Sequence, residues 1–359
     1  QIFYNIQNNF MFLHIEEHQH LLHLQQHLYL SIKMKHLYII GNGFDLHHRI
    51  NSSYRSFYEY LADYHPGLLS EINETFIDCD VEWWSDFENN LGELNIYSVA
   101  GEVAYENRPD LFSEHCDRTW NDAEIEVNNK LEVLFNDIIE TFHEWILQLN
   151  KPTPELILDI HTQESLFLTF NYTKTLENLY GIDSKHILHI HGCIDDLEVG
   201  HSENFILGHG KDRDDILALN DDEEPNIPDG LSDEELQYYL EEFANRVELH
   251  EQLARDAAVD QLHRLRKPVK EILASNLDFF ENLDNIEYVH VYGFSFSKID
   301  EPYMAKIAEK LSNVNWEISD YNNSNSQKIN DFLAKYHINN STIISLEDIL
   351  DKRQLKFDF

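Results

Sequence analysis

Five short apolar runs, each rich in β-branched or aromatic residues, have the pattern of buried strands. They cover residues 36–41, 165–170, 186–192, 287–294 and 315–319. Segments with the apolar spacing of amphipathic helices follow four of them. Because strands that alternate with helices are typical of α/β folds, the sequence predicts a mostly parallel, Rossmann-like sheet with helices on both faces. Such sheets bind ligands at the carboxyl ends of their strands.

Two long stretches interrupt this alternation. Residues 66–160 are mostly helical in pattern, and residues 212–285 begin with an acidic run and continue as polar helices. We expect one domain over 34–359, in which both stretches are helical insertions on a single sheet core. Residues 1–33 contain five histidines and lack the pattern of a signal peptide. We therefore expect them to be an N-terminal extension, which either belongs to the native protein or was added to it.

The charge of the chain narrows the classes of function. Its 66 acidic and 26 basic residues give a formal net charge of -40, which repels phosphate backbones and argues against nucleic-acid binding. No apolar run approaches the roughly 20 residues of a membrane span, so no membrane partner is expected. The three cysteines are far apart and lack metal-ligand spacing, which is typical of reduced thiols in a cytoplasmic protein. No metal site is predicted.

A Gly-Asn-Gly turn directly follows the first predicted strand. Gly41 and Gly43 leave the backbone bare where a helix start would offer its N–H groups to an anion, although a tight turn alone also explains them. Asp45 either belongs to that site or favours the helix dipole. Because adjacent side chains point in different directions, at most one of His47 and His48 should face a site.

Two further strand ends carry polar residues. Asn171 lies where a buried strand gives way to a helix; it is either a helix cap or an amide that holds a water or a sugar hydroxyl. His189 and His191 should share one face of a strand, and His191 directly precedes Gly192 at the rim. His191 is therefore a general-base candidate, unless it is a hydrogen-bonded core residue.

Two acidic motifs have a simpler explanation. Ser85 and Glu88 match a helix capping box, and Ser297 with Asp300 fits the same pattern. We therefore expect caps at both places rather than catalytic acids.

These segments together resemble a known family. The stretches LYIIGNGFDLHHRINSSY, WWSDFENNL, FLTFNYTKTLENLY, HIHG and VYGFSFSKIDEPY are similar to those of the AbiH-type bacteriophage abortive-infection proteins, from about residue 36 to the end. The order of the glycine turn, FNY, HG and GFSFS also resembles sirtuin-like folds, which bind NAD and whose bacterial defence members hydrolyse it.

The sirtuin resemblance implies roles for particular positions. Asn171 would orient ribose or water, and His191 would polarise a ribose hydroxyl or accept a proton. The remaining NAD-binding residues would be Gly41, Asn42, Gly43, Phe44, Asp45, His48, Gly192, Gly293 and Ser295. Phe44 and Asp45 depart from the small residues and serine of sirtuins, and the four-cysteine zinc module is missing, which argues against a deacylase.

Three functions follow from these patterns. The first is an anti-phage effector that cleaves the nicotinamide–ribose bond of NAD, with NAD as substrate and a homo-oligomer or a phage-derived trigger as activator. The second is a sensor that binds a nucleotide without turnover. The third is a nuclease using Asp45, Asp86 and Glu88, against which the net charge counts.

Overall fold

A single parallel sheet forms the centre of the structure, a computed structural model that describes residues 34–107, 119–198, 204–219, 232, 235–237 and 249–351. The strands are β1 (His36–Ile40), β2 (Ser165–Thr169), β3 (Ile187–His189), β4 (Tyr288–Tyr292), β5 (Asn315–Ser319) and β6 (Ser341–Ile344). All neighbours are parallel, in the order β3-β2-β1-β4-β5-β6. This is the strand order of the Rossmann fold, so the predicted fold class is confirmed.

Strand β1 is central and buried on both faces. Leu37 and Ile39 lie in one apolar core, whereas Tyr38 and Ile40 lie in another. All four are at most 1% exposed. Burial on both faces explains why β1 reads as a continuous apolar run rather than an alternating one.

Helices cover both faces of the sheet and form the insertions. In the described part of the chain they are α1 (Asn42–His47), α2 (Tyr54–Tyr64), α3 (Pro66–Thr75), α4 (Phe87–Asn90), α5 (Ile96–Glu106), α6 (Asp122–Leu147), α7 (Thr175–Tyr180), α8 (Ile194–Glu198), α9 (Arg213–Leu219), α10 (Leu249–Arg264), α11 (Val269–Ser275), α12 (Leu277–Glu281), α13 (Glu301–Leu311) and α14 (Ser326–Lys335). Helices α13 and α14 pack on the face of Leu37, and α7 packs on the face of Tyr38.

The two insertions share one apolar core. Helix α10 of the second insertion packs against α5 and α6 of the first. Their buried residues form a cluster separate from the two sheet faces, with Trp84, Phe142 and Leu262 among its members. Ile272 and Phe280, from α11 and α12, belong instead to a sheet face. The second insertion therefore returns to the sheet before β4 begins.

Two strand predictions need correction. Strand β6 was missed because its residues are exposed or half-buried at the sheet edge, which leaves little apolar signal. The third strand ends at His189, and His191 lies in the turn that follows. The extension at 1–33 and most of the acidic run after residue 219 lie outside the described residues.

Candidate active site

A cavity of about 1270 Å³ opens at the carboxyl ends of the central strands. Its wall includes Gly41 after β1, Asn171 after β2, Gly293 after β4 and Ser319 at the end of β5. The strand order reverses between β1 and β4, and open α/β sheets bind ligands beside such a switch point. Pockets for drug-sized ligands measure roughly 300–1,000 Å³, so this cavity has room for a dinucleotide.

The glycine turn packs against a second glycine turn. Gly293 has φ +64, and a Cβ atom there would lie 2.0 Å from the amide nitrogen of Phe44. A Cβ atom on Gly41 would lie 2.6 Å from the carbonyl oxygen of Gly293. The N–H of Gly43 donates to that same oxygen at 2.8 Å, and the N–H of Phe44 donates to Gly41 O at 2.9 Å. Because these two amides bond within the protein, the turn is a smaller anion site than the sequence indicated.

Asp45 is a buried carboxyl group in the cavity wall. It is 1% exposed and accepts hydrogen bonds from the hydroxyls of Thr173, at 2.6 Å, and Thr175, at 2.8 Å. Burial raises the pKa of Asp45 to about 6, and these hydroxyls oppose the shift. Its side chain therefore connects α1 to the segment after β2.

Asn171 does not cap a helix, because the N-cap of α7 is Lys174. Its Nδ2 donates to Gly41 O at 3.1 Å, which ties the end of β2 to the end of β1. Its Oδ1 is buried in the cavity wall and has no hydrogen-bond partner among the described residues. Since buried polar atoms are normally bonded, this oxygen is a site for a hydroxyl or a water.

His191 is 2% exposed and contributes its ring to the same cavity. Its Nδ1 lies 3.4 Å from Nζ of Lys267. A lysine ammonium can only donate, so Nδ1 accepts and the ring proton is on Nε2. Burial, followed by the charge of Lys267, lowers the pKa of His191 well below its ordinary value. His191 is thus a neutral hydrogen-bond donor rather than the general base that the sequence favoured.

Asp300 faces His191 across a short gap. Its Oδ1 lies 3.8 Å from Nε2 of His191, and both atoms are buried without a hydrogen-bond partner among the described residues. Burial raises the pKa of Asp300 to about 7; Lys267 opposes this shift and Glu88 adds to it. The predicted cap by Ser297 is wrong, because α13 begins directly after Asp300, without a side-chain cap.

A buried ion pair supports this arrangement. Nζ of Lys267 donates to Oε2 of Glu88 at 2.6 Å, and the hydroxyl of Tyr172 donates to Oε1 at 3.0 Å. The predicted capping box at Ser85 and Glu88 is therefore wrong. Glu88 belongs to the first insertion and Lys267 to the second, so both insertions position His191.

Basic side chains occur at the rim of the otherwise acidic molecule. Arg49, Arg55 and Lys328 contribute to the lining. Arg55 pairs with Glu59 at 3.3 Å, whereas Arg49 and Lys328 form no ion pair with a described residue.

The structure brings most of the predicted site residues together. Those that line the cavity are Gly41, Asn42, Gly43, Asp45, Asn171, His191, Gly293 and Ser295. The side chain of Asn42 bonds to Ser52, donating to its carbonyl oxygen at 2.9 Å and accepting from its hydroxyl at 2.5 Å. Asn42 therefore stabilises the turn.

Three predicted residues lie outside the cavity wall. Phe44 is fully buried, with its ring 4.5 Å from that of His48. The imidazole of His48 bonds to the Phe44 carbonyl at 2.7 Å and to the Tyr180 hydroxyl at 2.8 Å. Gly192 has φ +82 and packs on the backbone of Asn204, where a Cβ atom would lie 2.3 Å from the carbonyl oxygen. All three have packing roles, and it is His47 that reaches the cavity.

Sequence reasoning missed Lys267, Asp300 and Thr173 as site residues, and it considered Glu88 only as an acid of the nuclease hypothesis. Glu88 and Asp300 sit in motifs that match helix caps, so the local signal favoured the wrong interpretation. Thr173 follows Asn171 by two residues, and this proximity could have identified it. Lys267 had no local signal, since its burial depends on the packing of distant helices.

The acids of the nuclease hypothesis are engaged separately. Asp45 is held by threonines, Glu88 is paired with Lys267, and Asp86 accepts from Asn89 Nδ2 at 3.3 Å. Within the described residues, no three His, Cys, Asp or Glu side chains converge in a way that could hold a metal ion.

The family model described as "Bacteriophage abortive infection AbiH" matches residues 37–320. The chain belongs to the AbiH family. No curated protein and no solved structure matches it. The match covers both insertions and every cavity residue named above up to Ser319.

Membership of the AbiH family implies a role in bacteriophage abortive infection. The resemblance to sirtuin-like folds stays a prediction, because it rests on four short motifs. Among the described helices of this AbiH protein, none combines the length and the apolar character needed to cross a membrane.

Proposed function

We propose that this AbiH protein is an abortive-infection effector that hydrolyses the bond between nicotinamide and ribose in NAD. The observation that supports this proposal is the convergence of Asn171 and His191 on one cavity beside the switch point of the sheet. Each contributes a buried polar atom without a protein partner among the described residues. Such atoms favour a polar ligand over an apolar one.

The charge distribution of the cavity fits a dinucleotide with a cationic end. Asp45 and Asp300 lie deep in the wall, where their carboxylates favour the positively charged nicotinamide ribose. Arg49 and Lys328 lie exposed at the rim, where they offset the net charge of the chain and attract the pyrophosphate.

The chemistry needs little acid catalysis. Nicotinamide leaves as a neutral molecule from a cationic state, so breaking its bond to ribose requires mainly positioning and stabilisation of the positive charge that develops on the sugar. Oδ1 of Asn171 would accept a hydrogen bond from a ribose hydroxyl or from the attacking water. Nε2–H of His191 would donate to a ligand oxygen or to that water.

The test is incubation of the purified protein with NAD and quantification of nicotinamide, using parent, Asn171→Ala and His191→Ala. We expect release by the parent and a loss of about 10²–10³-fold in each variant, the range for removing one positioned hydrogen-bonding group. Asn330→Ala and His263→Ala are matched controls, since both residues are exposed on helices and lie outside the cavity wall. They should keep the parent rate.

An NAD hydrolase that was always active would harm its host. We therefore propose that activity requires a homo-oligomer or a phage-derived trigger, and the assay should include lysate of infected cells. If the folded parent leaves NAD intact under every such condition, the proposed hydrolysis is wrong.

The second candidate is a nucleotide sensor without turnover. The cavity is lined by Trp84 and Phe142 of the insertion core as well as by residues at the strand ends. A ligand in the cavity would therefore contact both the sheet and the core that the two insertions share, which favours a sensor. Calorimetry that detects NAD binding by a parent that releases no nicotinamide would select the sensor.

A further inference from the structure

Two buried polar atoms in the cavity wall lie close together without bonding to each other. Nε2 of His191 and Oδ1 of Asp300 are 3.8 Å apart, too far for a hydrogen bond to each other. Both are buried and without a hydrogen-bond partner among the described residues. An oxygen placed about 2.8 Å from each could accept from Nε2–H and donate to Oδ1. Such an oxygen lies beside the line that joins the two atoms, on a water or on a hydroxyl of a ligand in the cavity that both residues line.

The two groups differ in their capacity to take a proton. His191 already accepts from Lys267 at Nδ1 and carries its proton on Nε2. Protonating this ring would place a second positive charge next to the ammonium of Lys267 in a buried site. Asp300 has the opposite situation, because a nearby cation favours its carboxylate while burial favours its neutral acid.

The surroundings of Asp300 come from several elements. The titratable and charged groups that face it are Glu88 and Asp86 near α4, Lys267 after α10, His191 after β3, Tyr303 in α13, Tyr54 in α2 and Tyr172 after β2. Because Lys267 is directly paired with Glu88, its charge is shared and only partly stabilises the Asp300 carboxylate. A carboxyl group balanced in this way is suited to exchange protons near neutral pH.

We propose that Asp300 is the proton acceptor of this cavity and that His191 holds the attacking water for it through Nε2–H. This inference rests on the proposed hydrolysis of NAD and adds a catalytic residue to it. Lys267 and Glu88 are positioning residues, since they act through His191 and the charge balance of Asp300.

The proposed step is attack of this water on C1′ of the ribose, with nicotinamide as the leaving group. The bond between C1′ of the ribose and N1 of nicotinamide breaks, and its electron pair neutralises the positive nitrogen. The water oxygen bonds to C1′, and one proton of the water moves to Oδ1 of Asp300. Asp300 then releases that proton to solvent, so that NAD and water give ADP-ribose, nicotinamide and one proton.

The test is a pH profile of kcat and KM for NAD between about pH 5.5 and 8.5, comparing parent with Asp300→Asn. We expect parental kcat to rise through about pH 7, because the carboxylate is the active form. Asp300→Asn should lose about 10²–10⁴-fold in kcat, with little change in KM and no rise near pH 7.

Glu301→Gln is the matched control. It removes the same charge one position along the chain, from a carboxylate that pairs with Lys335 and lies outside the cavity wall. It should keep the parental profile. A parent that hydrolyses NAD together with an equally active Asp300→Asn would overturn the role of Asp300 and leave the proposed hydrolysis intact.

A second measurement does not depend on turnover. Because burial raises the pKa of Asp300, the folded chain keeps a proton that the unfolded chain releases, and this costs the parent stability as pH rises from about 4 to about 7. The melting temperature of Asp300→Asn should therefore increase relative to the parent across this window. If the difference in melting temperature between the variant and the parent does not change with pH, the Asp300 carboxyl group has an ordinary pKa. That result would overturn the proposal even if no condition yields NAD hydrolysis.

Discussion

Replacing Lys267 with Met tests the buried ion pair that organises the site. The side chains of Lys267 and Glu88 are 0% and 11% exposed, and Nζ and Oε2 are 2.6 Å apart. Methionine keeps most of the length and the apolar stem of the lysine side chain. It leaves the Glu88 carboxylate buried beside Asp300 without its ammonium partner, while the hydrogen bond from the Tyr172 hydroxyl remains. Removing one partner of such a pair costs about 3–5 kcal/mol of unfolding free energy.

A double-mutant cycle separates the pair from the packing. Lys267→Met combined with Glu88→Gln removes both charges, so the double variant should be more stable than the sum of the two single losses predicts, by about 1–3 kcal/mol. The assay is urea unfolding followed by tryptophan fluorescence, since Trp84 lies in the adjoining core. Lys35→Met is the control, because its ion pair with Glu164 is exposed on both sides, at 42% and 47%, and the variant should unfold at nearly the parental urea concentration.

Two results would refute this reasoning. A loss below about 1 kcal/mol for Lys267→Met would mean that the pair is hydrated rather than buried. Strict additivity of the two single variants would mean that the ammonium and the carboxylate do not interact in solution.

Three further predictions follow from the same contacts. In Lys267→Met the pKa of His191 should rise, because a neighbouring positive charge is removed. NMR titration of the imidazole measures this pKa, and an unchanged value would contradict the contact between Lys267 and His191. Burial lowers the pKa of His48 to about 4, so as pH falls the unfolded chain takes up this proton before the folded chain does. Up to about 3 kcal/mol of unfolding free energy should therefore be lost between about pH 6.5 and 4. His48→Phe should remove that part of the pH dependence of urea unfolding, and an unchanged slope would count against burial of the ring. Gly293→Ala should lower stability by about 2 kcal/mol or more, since it combines φ +64 with a Cβ clash on Phe44 N; unaltered melting would contradict the packing of the two turns.

The strands could be predicted because their signal is local. The run from His36 to Ile40 is apolar on both faces and the turn after it contains Gly41 and Gly43, so the sequence alone locates both strand and turn. Strand β6 lies at the sheet edge with little burial, and such a strand carries almost no apolar signal. Strand β6 forms because it pairs with the neighbouring strand β5.

The site could be predicted only in part, for a physical reason. Asn171 and His191 follow strands, and the geometry of a parallel sheet brings strand ends together. Glu88 and Asp300 match the sequence of helix caps, and only the packing of the insertions decides that their carboxylates are buried instead. Lys267 is similarly hidden, because nothing near it in sequence indicates a buried partner 179 residues away.

A crystal structure with a non-hydrolysable carbocyclic analogue of NAD would show directly whether the cavity at the strand ends binds NAD. We expect the analogue in the cavity at the ends of β1, β2 and β4. One of its hydroxyls, or an ordered water, should lie within hydrogen-bond distance of His191 Nε2 and Asp300 Oδ1. Density for the analogue at another surface, or a cavity whose polar atoms are closed off by the protein itself, would contradict it.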